Sequence, residues 1–223
     1  MIKKLIYVFW EPAVTFESIK EKCNWIDVLL PILLVSIATW ISIPHVTPIS
    51  IEAQKEYIES SSRLSDVQKE AALEKTNKGR NPVLAYIFTP VTIFLKYLII
   101  ALVMWFAGNF ILGGEAGFVT IFAMTAYSSL IDLIATVIKV PLIVSQQSLD
   151  IYTSLALFFN ESQTFLFRLM KNIDVFAAWK VILLSMGLSV IYKAKIGKSF
   201  YTVSIIWLIY CVIASALGGL LKV

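Results

Sequence analysis

Five stretches of this chain are long and apolar enough to cross a lipid bilayer, and this feature constrains the fold most. A membrane-spanning helix needs about 20 mostly apolar residues to cross about 30 Å of hydrocarbon. The candidate spans are Ile26–His45, Ala85–Ile111, Phe118–Val144, Val175–Tyr192 and Phe200–Leu221. The expected fold class is therefore an all-α membrane protein, a bundle of five transmembrane helices.

Composition agrees with this class and argues against several others. Hydrophobic residues make up 58% of the chain and charged residues 15%, against about 25% charged residues in soluble domains. The net charge of +4 is modest and spread along the chain, so no nucleic-acid partner is expected. The two cysteines and the single histidine show no metal-ligand spacing. We therefore expect no cofactor or metal, and expect the basic residues to contact the lipid bilayer.

Residues 1–24 are expected to form a separate amphipathic helical segment at the membrane interface. The apolar side chains at helical spacing in its first part are Ile2, Leu5, Ile6 and Phe9. Pro12 should interrupt this helix because it lacks a backbone N–H. A second short helix is expected to follow, with Phe16, Ile19 and Cys23 on one side.

The membrane domain is expected over 25–223, with one sizeable polar loop at 46–82 between the first two spans. Acidic and basic residues balance in this loop, and apolar residues are sparse. Thr47 before Pro48 is a candidate helix start, and Ser65 with Gln68 is a capping-box pattern. Helices here would bury little on their own, so the loop is interpreted as a solvated hairpin spacer or as a docking surface for a partner.

A glycine-rich turn containing Gly113 and Gly114 joins spans two and three, which must then be adjacent and antiparallel. Lys96 and Asp132 lie at equal distances along the chain before and after Gly114. Both should therefore sit at the same depth on neighbouring helices. The sequence predicts an intramembrane ion pair between them.

Span three also carries a polar stripe whose spacing keeps one face of a continuous helix. Its members are Thr125, Ser128, Ser129, Asp132, Thr136 and Lys139. One interpretation is a charged relay or substrate site in a water-accessible cleft. The other is a structural ion pair that sets helix register, favoured because no second carboxylate for a proton chain is evident. Asp132→Asn or Lys96→Met alone should destabilise the protein, and replacing both with apolar residues should recover much of the loss.

Other polar and small residues in the spans are interpreted as structural. Lys139 and Lys180 lie near the expected outer ends of spans three and four, where lysine stems can snorkel. Ala214 and Gly218 share a face of span five and permit close helix contact. Packing within the chain is expected, with a homodimer seam as the alternative. No catalytic grouping is evident, so we do not expect an enzyme.

Four short motifs together resemble the YIP family of Ypt/Rab-interacting membrane proteins, in its shorter prokaryotic form. The likeness covers roughly 8–218, excluding the polar loop. The motifs are Pro12-x-x-Thr15-Phe16-x-x-Ile19, Leu112-Gly113-Gly114, Ala126-Tyr127-Ser128, and Trp179 followed by Leu183, Leu184, Gly187 and Leu188.

This resemblance implies a five-helix bundle with a cytoplasmic N-terminus and an external C-terminus, and lysines in the short loops favour the same orientation. For eukaryotic relatives it implies binding to small GTPases and a part in traffic between the endoplasmic reticulum and the Golgi. Because only residues 1–24 precede the first span, the plasma membrane of a prokaryote is the expected location. The alternative is an endoplasmic reticulum or Golgi membrane in a eukaryote.

Two functions from different classes remain open at this stage. The first is a non-enzymatic membrane scaffold or adaptor that binds an unknown membrane or cytoplasmic protein partner. The second is a small permease or ion and proton pathway that uses the polar face around Lys96 and Asp132.

Overall fold

The computed structural model describes residues 2–61, 64–77, 82–159 and 164–220, and these are mostly helical. A π-helical turn, Ala107–Leu112, follows α5, and a 3-10 turn, Leu155–Phe158, precedes α8. The α-helices are α1 (Ile2–Trp10), α2 (Pro12–Glu21), α3 (Trp25–Ser60), α4 (Asp66–Asn77), α5 (Pro82–Phe106), α6 (Phe118–Ser128), α7 (Ile131–Gln146), α8 (Phe165–Asn172), α9 (Val175–Tyr192) and α10 (Ile196–Leu220).

Within the described residues, five helical stretches are long and apolar enough to cross a membrane. They are Trp25–Ser60, Val83–Leu112, Phe118–Gln146, Val175–Tyr192 and Ile196–Gly218. Each corresponds to one of the five spans that the sequence predicts. The predicted class, an all-α bundle of five transmembrane helices, is confirmed.

Helix α3 is longer than its predicted span. It has 36 residues, which is about 54 Å at 1.5 Å per residue, against about 30 Å of hydrocarbon. The helix start predicted at Thr47 is wrong, because α3 continues through Pro44 and Pro48. Each proline removes one backbone N–H donor. The helix persists because α3 packs along α7, and Ile49, beyond both prolines, is buried.

Helix α4 folds back on the end of α3 and forms what we call the α3–α4 hairpin, Thr47–Ser60 with Asp66–Asn77. The predicted capping box is confirmed: Ser65 N donates to Gln68 Oε1 at 3.0 Å, and Gln68 N donates to Ser65 Oγ at 3.4 Å. Lys69 Nζ donates to Glu59 O at 2.9 Å. No side chain of α4 is buried, so this helix adds almost nothing to the core.

The N-terminal helices are part of the bundle rather than a detached anchor. Pro12 separates α1 from α2, as predicted. Phe16 and Ile19 on α2 are fully buried, and α2 packs against α6 and α9. On α1 the fully buried side chain is Val8, which the predicted apolar face does not include. An interfacial position for residues 1–24 stays a prediction.

The third span is not the single continuous helix that was predicted. It breaks after Ser128, and short i to i−3 bonds bridge the gap, with Leu130 N donating to Tyr127 O at 3.1 Å and Asp132 N to Ser129 O at 2.9 Å. Such a tightened turn has 3.0 residues per turn rather than 3.6. The tightened turn therefore interrupts the regular helical spacing from which the shared polar face was predicted, and that shared face stays a prediction.

The glycine turn is as tight as predicted, and a tyrosine fills it. Gly113 has a φ of 77°, a left-handed conformation that glycine adopts at little cost. A Cβ atom at Gly108 would lie 2.1 Å from the Tyr192 ring, and one at Gly114 would lie 2.5 Å from it. Tyr192 OH donates to Asn109 Oδ1 at 3.0 Å. The end of α9 is thereby held against the turn that joins α5 to α6.

Small residues allow close helix contact elsewhere too. A Cβ atom at Gly187 would lie 2.4 Å from Met124 Cγ, so α9 approaches α6 closely there. Helix α10 packs on α8, and a Cβ at Gly218, one turn after Ala214, would lie 3.6 Å from Arg168 Cδ. This pair therefore supports packing within the chain, and a homodimer stays a prediction.

Candidate functional site

The bundle interior brings together the two charges that the sequence singled out. Lys96 Nζ lies 3.2 Å from Asp132 Oδ2, and Tyr97 OH donates to the same oxygen at 2.9 Å. Lys180 Nζ donates to Asp132 Oδ1 at 2.5 Å. Residues of α5, α7 and α9 thus converge on one carboxylate, and we call these four residues the Asp132 cluster.

The interpretation of Lys180 as a lysine that snorkels towards the interface is wrong, whereas for Lys139 it stays a prediction. Lys180 makes the shortest ionic contact with Asp132. Lys139 Nζ donates to Asp174 Oδ2 at 2.8 Å. The signal that could have found Lys180 is its position as the one charged residue in the span Val175–Tyr192. An isolated charge in a span needs a partner inside the bundle.

The Asp132 cluster is asymmetric in charge and in exposure. It contains two ammonium groups and one carboxylate, a formal net charge of +1 with all three groups ionised. The side chain of Lys96 is 55% exposed and that of Asp132 is 23% exposed, whereas that of Lys180 is 13% exposed. Both lysines also lie over the ring of Tyr97, with Nζ to centroid distances of 5.5 Å for Lys96 and 5.7 Å for Lys180. Lys180 is therefore the inner partner and Lys96 the outer one.

A second carboxylate, Asp27, lies at the start of α3 and was not predicted as a site. It completes a capping box with Asn24, whose backbone N donates to Asp27 Oδ2 at 3.2 Å. Its other oxygen accepts from Lys4 Nζ and from Tyr127 OH, each at 3.3 Å. The Asn24-x-x-Asp27 spacing was the available signal for the cap, but nothing in the sequence pointed to the two distant donors.

Cys23 lies next to this Asp27 cluster. Burial, followed by the negative charge of Asp27, raises the pKa of the Cys23 thiol. A thiol with a raised pKa has little thiolate at neutral pH, and the thiolate is the reactive form. Cys23 is therefore not an activated nucleophile.

A third carboxylate, Asp174, caps the N-terminus of α9 at the other end of that helix from Tyr192. Its Oδ1 accepts from Phe176 N at 2.8 Å, and its Oδ2 accepts from Lys139 Nζ and from Thr153 Oγ1. Burial alone would raise the pKa of the Asp174 carboxyl, but the hydrogen bonds from Lys139 and Thr153 outweigh burial and hold the pKa below its ordinary value. Asp174 makes none of its hydrogen bonds to the four residues of the Asp132 cluster, so the expectation that no second carboxylate serves a proton chain at Asp132 stays a prediction.

Unpaired hydroxyl groups line α6 between the Asp27 and Asp132 clusters. Thr125, Ser128 and Ser129 are fully buried. Within the described ranges the hydroxyl oxygens of Thr125 and Ser128 have no hydrogen-bond partner, whereas Ser129 lies beside Tyr97. Buried polar groups of this kind are often satisfied by internal water. Thr136, the remaining member of the predicted stripe, instead donates to the backbone carbonyl of Asp132 at 2.8 Å.

The motif residues of the resemblance mostly form packing contacts. Phe16 and Tyr127 are fully buried, and Trp179 meets Phe9 edge to face with ring centroids 6.2 Å apart. Tyr127 alone among these three also contacts a charged group, Asp27. Within the described residues, no group of three or more His, Cys, Asp and Glu side chains is placed to hold a metal ion.

Comparison with known proteins shows which family the chain belongs to. The family model of the Yip1 domain matches residues 6–217, a range that runs from α1 almost to the end of α10. The chain belongs to the Yip1 domain family. No curated protein and no solved structure in the comparisons matches it. The five-span bundle and the family membership together make this an integral membrane protein of the YIP family.

Proposed function

We propose that this Yip1-domain protein is a non-enzymatic membrane scaffold or adaptor that binds a partner protein through the α3–α4 hairpin. The observation that supports this most directly is that α4 buries none of its side chains. An isolated helix of 12 residues is marginally stable in water. A helix that contributes so little to its own bundle is available to a partner.

The length of α3 supports a position of the hairpin outside the hydrocarbon. If α3 begins at one face of the bilayer, about 20 Å of its length extends past the other face. The hairpin carries charges of both signs, including the pair of Lys55 Nζ and Glu52 Oε2 at 3.7 Å. On α4 the hairpin also has Val67, which is 77% exposed. A mixed charged surface with an exposed apolar side chain suits a reversible protein contact.

A photocrosslinking amino acid at Val67 tests this proposal in cells. We expect a defined adduct of higher mass from this position. The matched control is the same amino acid at Ile205, which is 57% exposed but lies within the last span. Equal crosslinking from both positions, or none from Val67, would count against a docking role for the hairpin.

A second candidate function is a small permease or an ion and proton pathway. The specific observation in its favour is the run of polar groups from Asp27 and Tyr127, past the buried hydroxyls of α6, to Tyr97 and Asp132. Proton relays in membrane proteins use ionisable groups in such positions. Purified protein in liposomes should show solute or proton flux that Asp132→Asn abolishes while the fold is retained. Flux should survive changes confined to the hairpin.

We also propose a cytoplasmic N-terminus and an external C-terminus in the plasma membrane of a prokaryote, with an endoplasmic reticulum or Golgi membrane as the alternative in a eukaryote. The lysines of the N-terminal helices and those between α9 and α10 support this orientation. Lys20 Nζ donates to Val190 O at 2.8 Å, so α2 and the end of α9 lie on the same side of the bundle. Reporter fusions at the two termini should report opposite faces. Reporters on one face would contradict the odd number of crossings.

A further inference from the structure

We propose that the loop between α7 and α9 binds the lipid bilayer, as an in-plane surface that inserts apolar side chains among the acyl chains of one leaflet. This surface consists of residues 155–159, which include the 3-10 turn, and of the helix α8 at residues 165–172. We call it the α8 platform. The proposal does not depend on a protein partner at the α3–α4 hairpin.

The α8 platform exposes large apolar side chains in both of its parts. Phe158 is 79% exposed and Leu157 is 64% exposed, and Phe159, Phe165 and Leu166 are exposed as well. Exposed apolar side chains that occur together, rather than singly, mark a surface that binds a membrane or another protein.

These side chains are exposed although the platform is packed on the bundle. Ala156, between the exposed residues of the 3-10 turn, is 1% exposed, and Phe167 on α8 is 5% exposed. The ring of Phe167 meets that of Tyr152 edge to face, with centroids 5.6 Å apart. The platform therefore buries one set of apolar side chains in the protein and leaves the other set for an external contact.

The α8 platform lies level with the ends of two membrane-spanning helices. Leu155 N donates to Ile173 O at 3.1 Å, just before α9 begins. Helix α8 packs on α10, and Arg168 Nε donates to Ser215 O at 2.9 Å, close to the end of the span Ile196–Gly218. Helix α9 has 18 residues, or about 27 Å, which is close to the thickness of the hydrocarbon. The platform is therefore near one boundary of the hydrocarbon.

The apolar surface of the platform is level with lipid-facing side chains of the neighbouring spans. Val175, the first residue of α9, is 58% exposed, and Leu217 near the end of α10 is 48% exposed. An occupant of the platform must fit a surface that lies against the bilayer. Acyl chains do so without any further protein chain, and this favours lipid as the occupant.

The polar groups of α8 suit the same position. Lys171 is five residues after Leu166 and therefore lies on a different side of the helix. Its side chain is 52% exposed and pairs with Asp150 at 3.6 Å, and its Nζ lies 5.2 Å from the centroid of the Tyr152 ring. Interfacial helices combine an apolar face among the acyl chains with lysine and aromatic side chains at the level of the headgroups.

The experiment measures the surroundings of single positions in the full-length protein. A nitroxide spin label is attached to Phe158→Cys or to Leu166→Cys in a background with Cys23→Ala and Cys211→Ala, in phosphatidylcholine liposomes. Power saturation compares collisions with oxygen, which concentrates among acyl chains, and with a nickel chelate that stays in water. The references are Ile205→Cys, an exposed position in the last span, and Val67→Cys, an exposed position on the charged helix α4.

The two collision rates distinguish the possible occupants of the platform. We expect the ratio of oxygen to nickel collisions at Phe158 and Leu166 to exceed that at Val67 and to approach that at Ile205. A ratio equal to that at Val67 would show that water covers the platform and would overturn the proposal. Low rates with both reagents would show a protein contact, such as a second copy of the chain, and would overturn it too.

A charge substitution tests insertion without a label. Phe158→Asp should lower the melting temperature in liposomes by about 2–4 °C, because a carboxylate among acyl chains is unfavourable. Val67→Asp is the matched control and should leave the melting temperature unchanged. Equal melting of Phe158→Asp and the wild type would contradict insertion.

If the cysteine-free background does not fold, the wild-type protein is tested with phosphatidylcholine that carries a photoactivatable diazirine on its acyl chains. Adducts on the α8 platform support the proposal. Adducts confined to the five spans refute it.

Discussion

Asp27 and Asp132 are both carboxylates that accept hydrogen bonds from lysine and tyrosine side chains, but their surroundings differ. The side chain of Asp27 is 4% exposed, and its one lysine partner leaves the cluster neutral. Asp132 has two lysine partners, and the outer one is more than half exposed. The Asp27 cluster is closed and balanced, whereas the Asp132 cluster is open and positively charged. Similar donors therefore give one enclosed carboxylate with a single lysine partner and one partly open carboxylate with two lysine partners.

The physical cause of this difference is how completely protein groups enclose each carboxylate. Asp27 receives donors from α1 and α6 and from its own helix cap, so protein groups enclose it. Asp132 lies just after the break in the third span, where α6 no longer separates α5 from α9. Lys96 can then point both at Asp132 and at the surface of the bundle. Three sets of variants test whether the two sites differ in this way, and a fourth tests the carboxylate of Asp174.

The largest effect is expected for Asp27→Ala. It removes the partner of Lys4 and Tyr127 and half of the capping box of α3. Breaking a buried ion pair by removing one partner costs about 3–5 kcal/mol. Thermal unfolding in detergent, followed by circular dichroism, measures the loss. The control Glu17→Ala changes an exposed carboxylate on α2 and should stay within about 0.5 kcal/mol of the wild type. If Asp27→Ala were as stable as Glu17→Ala, this result would contradict a structural role for Asp27.

The next largest effect separates the two lysines at Asp132. Lys180→Met should cost about 2 kcal/mol, because it removes a charge-assisted hydrogen bond at a buried site. Lys96→Met should cost less than about 1 kcal/mol, because exposed ion pairs contribute little. Replacing Asp132 and Lys180 together with Leu and Met should recover part of the loss. The melting temperatures of all three proteins provide the test, and a larger loss in Lys96→Met would make Lys96 the inner partner.

A smaller effect is expected for the two tyrosines. Tyr127 OH is one of two side-chain donors from other helices to Asp27, whereas Tyr97 OH is one of three donors to Asp132. Tyr127→Phe should cost about 1 kcal/mol, the typical value for one hydrogen bond, and Tyr97→Phe should cost less. Unfolding of the two variants under the same conditions compares them. A larger loss of stability in Tyr97→Phe than in Tyr127→Phe would contradict this order and show that the Tyr97 hydroxyl is essential to the Asp132 cluster.

The smallest effect concerns Asp174, whose hydrogen bonds hold its pKa below the ordinary value. A lowered pKa in the folded state stabilises the protein fully above the ordinary pKa of about 3.9 and loses that contribution as the pH falls through the folded-state pKa. Asp174→Asn keeps a good helix cap but lacks the charge. The wild type should be more stable than this variant at neutral pH, by about 0.5 kcal/mol, and the difference should close below about pH 4. A difference that is constant across this range would exclude the ionised carboxylate as its cause.

Local features of the sequence predicted much of the fold. The five spans, the glycine turn, the break at Pro12 and the capping box of α4 each depend on residues close together in the chain. Lys96 and Asp132 were also predictable, because a tight turn fixes the relative depth of the two helices that it joins. These features depend on backbone chemistry or on a short antiparallel connection, and both can be recognised from residues that are close together in the sequence.

Contacts between distant segments could not be predicted in the same way. Tyr127 and Asp27 lie in different spans with no short turn between them, and Lys180 reaches Asp132 from a helix whose rotation the sequence leaves open. The break after Ser128 was missed because no glycine or proline marks it. The continuation of α3 through two prolines was missed because packing on α7 outweighs the local preference.

The sequence by itself determined that this protein crosses the membrane in five helices and that charged groups lie within them, because the hydrocarbon imposes length and polarity on every span. Only the tertiary structure decided which charge meets which. Side-chain partners depend on how each helix is rotated about its axis, and rotation is set by packing between helices. The tertiary structure brings Lys180 to Asp132 as well as Lys96, so two lysines share one carboxylate.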